Sequence, residues 1–171
     1  MMADALRRSW VRWIVGGVLI GLVVVTIVLM RSGDPVVVRG DAGSEDGLRF
    51  EVGSAACSAT SLTVGSRTLR PEQGTFCRVE FRVRNMTEDP RSLDASCQYL
   101  VDRSGERHSL REDIALISDI SGGVFRPGLR PGAATPDYAA LYYDVPEGTE
   151  MLAVELHSDC GSDGLRFDVR D

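Results

Sequence analysis

Beyond residue 46 the hydrophobic positions alternate with polar ones. Leu48, Phe50 and Val52 are separated by Arg49 and Glu51; in residues 76–84, Cys77, Val79, Phe81 and Val83 alternate with Arg78, Glu80, Arg82 and Arg84. Successive side chains of a strand point to opposite faces, so this pattern predicts strands with one buried and one solvated face. Leu93–Asp102, Tyr138–Val145, Met151–His157 and Leu165–Arg170 are further candidates. In the last two, Leu152, Val154 and Leu156, then Leu165, Phe167 and Val169, form the inward rows. Turn-forming clusters separate them at Asn85–Pro90, Asp102–Gly105, Pro127-Gly128, Pro131-Gly132 and Pro146–Gly148. About seven short strands in about 125 residues predict an all-β fold, an immunoglobulin-like antiparallel β-sandwich over residues 47–171. Leu110–Ile120 has mixed spacing and reads as a short helix or a loop crossing between sheets. The string Gly-Leu-Arg-Phe at 47–50 recurs at 164–167 without matching surroundings, which reads as two similar strands.

The pattern before the domain is different. Trp13–Met30 is an 18-residue run without a charge. As a helix it covers about 27 Å, close to the roughly 30 Å hydrocarbon core of a bilayer. Trp10 and Trp13 stand at its start, where indoles favour the headgroup boundary. A cleavable signal peptide would have an apolar region of about 7–15 residues and a small-residue cleavage site. The run ends instead in Val28-Leu29-Met30-Arg31, so residues 13–30 are expected to be an uncleaved transmembrane helix. Arg7, Arg8 and Arg12 precede it, which puts residues 1–12 in the cytoplasm and the rest outside, as a single-pass protein of the cell membrane. Residues 31–46, rich in Gly, Ser and Asp, read as a flexible stalk.

Charge narrows the partners. The chain has 19 basic residues, all arginine, and a net charge of −6; residues 47–171 hold 20 acids against 14 arginines. An acidic outer domain argues against nucleic acid and against docking on anionic headgroups. The absence of lysine reflects a GC-rich coding sequence more than selection at each arginine.

Cys57, Cys77, Cys97 and Cys160 all follow the apolar run. An even count confined to an exported part predicts disulfides, with three connectivities open at this point. Their spacings of 20, 20 and 63 residues, with no C-x-x-C pair, suit no zinc module.

Other candidate chemistry is thin. His108 and His157 have no second ligand at useful spacing and fall on outward strand positions, which makes them surface residues. No nucleophile elbow surrounds any serine. Asp102–Glu106 is similar to a calcium loop but lacks its other acidic positions, so a hairpin turn is expected. Asn85-Met86-Thr87 fits a glycosylation sequon and reads as a strand end. Tyr138 and Tyr142 share one face of a strand and form a candidate binding face. Gly17 and Gly21 have the small-x-x-x-small spacing of helix dimers, so weak helix-mediated homodimerisation is a further expectation. No catalytic set, cofactor or metal site is predicted.

The order of features resembles the bacterial telokin-like, immunoprotective-antigen-type family of extracellular immunoglobulin-fold domains. The residues that carry this resemblance are Phe76–Asn85, then Leu100–Gly105, then Leu129-Arg130-Pro131-Gly132 leading to Tyr143-Asp144-Val145-Pro146-Glu147-Gly148. It covers essentially residues 47–171 and implies an extracytoplasmic, non-enzymatic domain. It also implies pairing of Cys57 with Cys77; Cys97 and Cys160 are then paired by remainder, both near core-adjacent strand ends. The function expected is a membrane-anchored, non-catalytic interaction module that binds an envelope protein or a cell-wall component. The alternative is a small accessory subunit acting through its transmembrane helix on a transporter or sensor.

Overall fold

A computed structural model of the protein describes residues 36–37, 42–137 and 139–169. The expected cytoplasmic segment and the transmembrane helix at 13–30, with Gly17 and Gly21, lie outside the described residues. Among the described residues no helix is long and apolar enough to cross a membrane.

The fold is all-β. The first sheet contains β1 (Val36–Val37), β2 (Ala42–Glu45), β3 (Leu48–Ala59), β6 (Gly74–Asn85) and β9 (Ala140–Pro146). Its order is β1–β3–β6–β9, with β2 also paired to β3. The second contains β7 (Tyr99–Asp102), β8 (Arg107–Ser109), β10 (Met151–Leu156) and β11 (Leu165–Asp168), in the order β11–β10–β7–β8. Strands β4 (Leu62–Val64) and β5 (Arg67–Leu69) form a separate hairpin. All pairings are antiparallel.

The alternation read from the sequence is what lets the two sheets share one core. Phe50 and Val52 from β3, Val79, Phe81 and Val83 from β6, and Leu141 and Tyr143 from β9 are buried with Leu100, Val154, Leu156 and Phe167 of the second sheet. Each large side chain so buried contributes about 1.5–3 kcal/mol. The sheets also approach along their edges: Leu110, just after β8, bridges Tyr143 of β9, and Gly43 of β2 lies against the Leu165 side chain of β11.

Three expectations are corrected here. The stalk at 31–46 is not all linker: Val36–Val37 pair with Ser54 and Ala55, and Ala42–Glu45 pair with Leu48–Glu51. The cause is the two-residue turn Asp46-Gly47, with φ of 46° and 77°, the left-handed pair that suits a tight hairpin. Leu152 does not face inward. A register irregularity between Met151 and Ala153 leaves it 37% exposed, while Val154 and Leu156 keep the inward row. The segment after Leu110 takes the helical one of its two expected forms, as two short helices, α1 (Glu112–Ala115) and α2 (Ser118–Ser121), which lie over β9. Finally, the stretch from Leu93 becomes strand only at Tyr99, after a 3-10 turn at Ala95–Cys97.

Because α1, α2 and the β4–β5 hairpin cover one end of the first sheet, a second apolar cluster forms there. Phe76 and Tyr142, on the outer faces of β6 and β9, pack with Ile114, Ala140, Leu62 and Leu69. This is why β9 is buried on both faces.

Candidate functional site

Tyr142 is therefore no part of an exposed binding face. It is only 9% exposed and meets Phe76 edge to face at 6.4 Å. Its expected companion, Tyr138, lies outside the described residues. The histidines are also relocated. His108 pairs in register with the inward residue Leu100, is 8% exposed, and its Nε2 lies 3.0 Å from Oδ2 of Asp102. His157 follows the last residue of β10 and is half-buried, its Nδ1 3.2 Å from the Ser162 carbonyl and its ring edge-on to Tyr99.

Asp102 shapes the β7–β8 hairpin. Its Oδ1 accepts from the Ser104 N–H, the Ser104 hydroxyl and the Glu106 N–H. The Ser104 hydroxyl, then His108, hold this carboxyl far below the usual carboxylate range. Asp102, Glu106 and His108 bring three ligand-type atoms within 4.8 Å of one another. Both Asp102 oxygens are already committed, one to the turn and one to His108, so the arrangement is that of a braced hairpin. In a second group, Asp94, Cys97 and Cys160, both sulfurs are held in a disulfide.

Asn85 is buried, and its amide donates to the carbonyls of Asp89 (2.7 Å) and Leu129 (3.0 Å). An amide used in this way closes a turn and is not presented to solvent as a sequon would require.

An open cleft of about 480 Å³ lies where the start of β7 and the end of β10 run side by side. One wall is Asp94–Ser96, another Ser158–Cys160, and α1 with Phe125 and Arg126 complete it. Each wall has a local cause. Asp94 caps the 3-10 turn, its Oδ1 accepting from the Ser96 N–H at 2.9 Å and the Ser96 hydroxyl at 2.7 Å. Those bonds, the hydroxyl first, lower the Asp94 pKa below its ordinary value. The disulfide Cys97–Cys160 joins the two walls, and the second bridge, Cys57–Cys77, links directly paired residues of β3 and β6. These are the two pairs expected.

Gln98 braces the same walls from beneath. It is fully buried; its amide nitrogen donates to the carbonyls of Asp94 (2.9 Å) and His157 (3.0 Å), and its oxygen accepts from the His157 N–H (2.9 Å). Glu45 holds the far wall from outside. Its carboxylate accepts from the Ser158 N–H, the Ser162 hydroxyl and the Gly164 N–H, at 2.8, 2.9 and 2.8 Å. Burial pushes the Glu45 carboxyl up, but these bonds together bring it below its ordinary value. Asp46 adds a bond from the Ser158 hydroxyl at 2.6 Å. Gly164 closes this loop at φ 75°, with the His157 ring where a Cβ would stand, so only glycine fits.

The cleft interior combines two chemistries. Phe125, which lines the cleft, is buried, while Leu116, 39% exposed, presents an apolar side chain at the cleft surface. Asp94, Glu112 and Asp159 surround it, with Arg126 as the cation among the lining residues. None of these residues stood out in the sequence. A cap signal at Asp94-Ala95-Ser96 and a turn signal at Asp46-Gly47 were present, but Gln98 and Glu45 act across 59 and 113 residues of chain, beyond any local pattern.

No family model matches the sequence, and no curated protein matches it. One solved structure does: a conserved hypothetical protein from Bacillus anthracis, determined at 2.2 Å, is 16% identical, with a TM-score of 0.52. The match covers 77% of this chain and 95% of that one, and at this identity it is a likeness of fold alone.

Proposed function

We propose that the chain is a membrane-anchored extracytoplasmic interaction module, in which an immunoglobulin-like β-sandwich binds a cell-envelope protein or wall component without catalysing a reaction. The observation that carries this reading is the braced cleft: two walls from distant parts of the sequence, joined by Cys97–Cys160 and held by Gln98. Pre-organised concave surfaces with a few polar groups are where ligands are bound. Two disulfides favour an oxidising compartment. That agrees with the charge-free run at 13–30 and the arginines before it. The order of motifs similar to the telokin-like family supports the same reading, and the bacterial structural neighbour supports its two-sheet architecture.

The test is crosslinking on intact cells with the tagged full chain, followed by recovery from membranes and mass spectrometry of its neighbours. A dominant, saturable envelope neighbour is expected. Recovery of the chain from the soluble cytoplasmic fraction with four free thiols would overturn the proposal.

A further inference from the structure

We infer that the cleft takes a basic, partly apolar peptide segment of a protein partner. This deepens the reading above and rests on it. The cleft commits to this occupant through charge and shape. Of the charged side chains lining it, Asp94, Glu112 and Asp159 are acidic and Arg126 is basic. Asp94 sits at the rim of the cleft, held in place by its capping bonds to Ser96. An arginine or lysine entering the cleft meets an excess of negative charge, while an acidic segment is repelled.

The apolar part of the occupant is set by Leu116. Leu116 is one of the few large hydrophobic side chains exposed among the described residues, and it lies on the cleft beside the acidic groups. A leucine-sized side chain that covers it removes apolar surface from water on both partners. At about 480 Å³ the cleft has room for a few side chains and not for a folded domain. The disulfide and Gln98 fix its width, so binding orders the peptide more than the protein.

The probe is a fluorescein-labelled hexapeptide with one arginine beside one leucine, titrated by anisotropy against the full chain in lipid nanodiscs. A matched peptide has glutamate in place of the arginine. Two variants reduce the charge of the cleft: Glu112→Lys, at an exposed position, and Asp159→Asn, which keeps an acceptor for the Gly161 N–H. Glu147→Lys is the control, in the β9–β10 turn at the far end of β10 from Ser158. Thermal unfolding of each variant checks that it is folded.

Saturable binding of the arginine peptide is expected, weakened about tenfold or more by the two cleft substitutions together, unchanged by Glu147→Lys, and reduced by added salt. Equal binding of the glutamate peptide, no saturable binding of the arginine peptide, or indifference to the cleft substitutions overturns the inference. If the chain still crosslinks to one envelope partner in cells in any of those cases, only the ligand class has failed and the module reading stands.

Discussion

The backbone N–H of Ser158 donates to Oε2 of Glu45 at 2.8 Å, so a residue at the start of the domain holds a wall of the cleft 113 residues away. Ser162 and Gly164 donate to the same carboxylate, and Asp46 receives the Ser158 hydroxyl. The leading hairpin is thereby part of the site's frame.

Replacing Glu45 with alanine removes three acceptor interactions and leaves two backbone N–H groups to find water. Urea unfolding should show a loss of about 1–3 kcal/mol, since hydrogen bonds to a charged group contribute about 1.5–3 kcal/mol where well buried and less where half-exposed. Glu45→Gln should lose about half as much. The pH sign follows from the lowered pKa. The carboxylate's contribution is fully present above its unfolded value, near 4.5, and is lost as the pH falls through the folded value. Asp102, also lowered, adds a loss of the same sign at still lower pH. The urea midpoint of Glu45→Gln should therefore fall less between about pH 5 and pH 3 than that of the parent, as linkage requires. Equal pH sensitivity would show that Glu45 is not bonded as described.

Asp144 is 5% exposed and accepts from the Glu72 N–H, the Gln73 N–H and the Arg111 guanidinium, at 2.7, 2.9 and 2.8 Å. Arg111 is in turn held by Asp113 and lies over the Phe76 ring. Breaking one side of such a buried pair costs about 3–5 kcal/mol, so Asp144→Ala should lower the denaturation midpoint more than any surface substitution. A loss below about 1 kcal/mol would contradict this network.

The Tyr143 hydroxyl is fully buried and has no hydrogen-bond partner among the described residues. Burial alone pushes its pKa up. Removing an unsatisfied polar group recovers part of its desolvation cost, about 1–3 kcal/mol, so Tyr143→Phe should be neutral or stabilising by about 1 kcal/mol. Destabilisation of this variant in thermal melts would indicate a partner for the hydroxyl.

The two disulfides close segments of 20 and 63 residues. Loop-closure entropy then gives about 3 and about 4 kcal/mol, so replacing Cys97 and Cys160 by serine should destabilise the chain more than replacing Cys57 and Cys77. Denaturant unfolding of the two double variants ranks them directly.

What the sequence made legible was whatever depends on near neighbours. Alternation in residues 48–52 and 76–84 placed the inward rows, because strand periodicity is local. Tyr142 was misread because periodicity gives its face but not what covers that face; the roof of α1, α2 and the β4–β5 hairpin comes from elsewhere in the chain. His108 was misread by one register position on a three-residue strand, where alternation has too few points to settle a face. The stalk was misread because its glycines and acids read as linker, while the pairing of residues 42–45 with 48–51 depends on the turn at Asp46-Gly47. The cleft itself is made of long-range contacts, and no window of sequence contains it.

The most direct test of the account is a photo-crosslinking amino acid at Leu116, on the cleft, compared with one at Arg166 on the outer face of the second sheet, in the full chain in intact cells. The account predicts one discrete adduct with an envelope protein from position 116, none from position 166, and loss of the adduct when Glu112→Lys and Asp159→Asn are combined. Adducts of equal strength from both positions, or from position 166 alone, would contradict the assignment of the cleft as the binding surface.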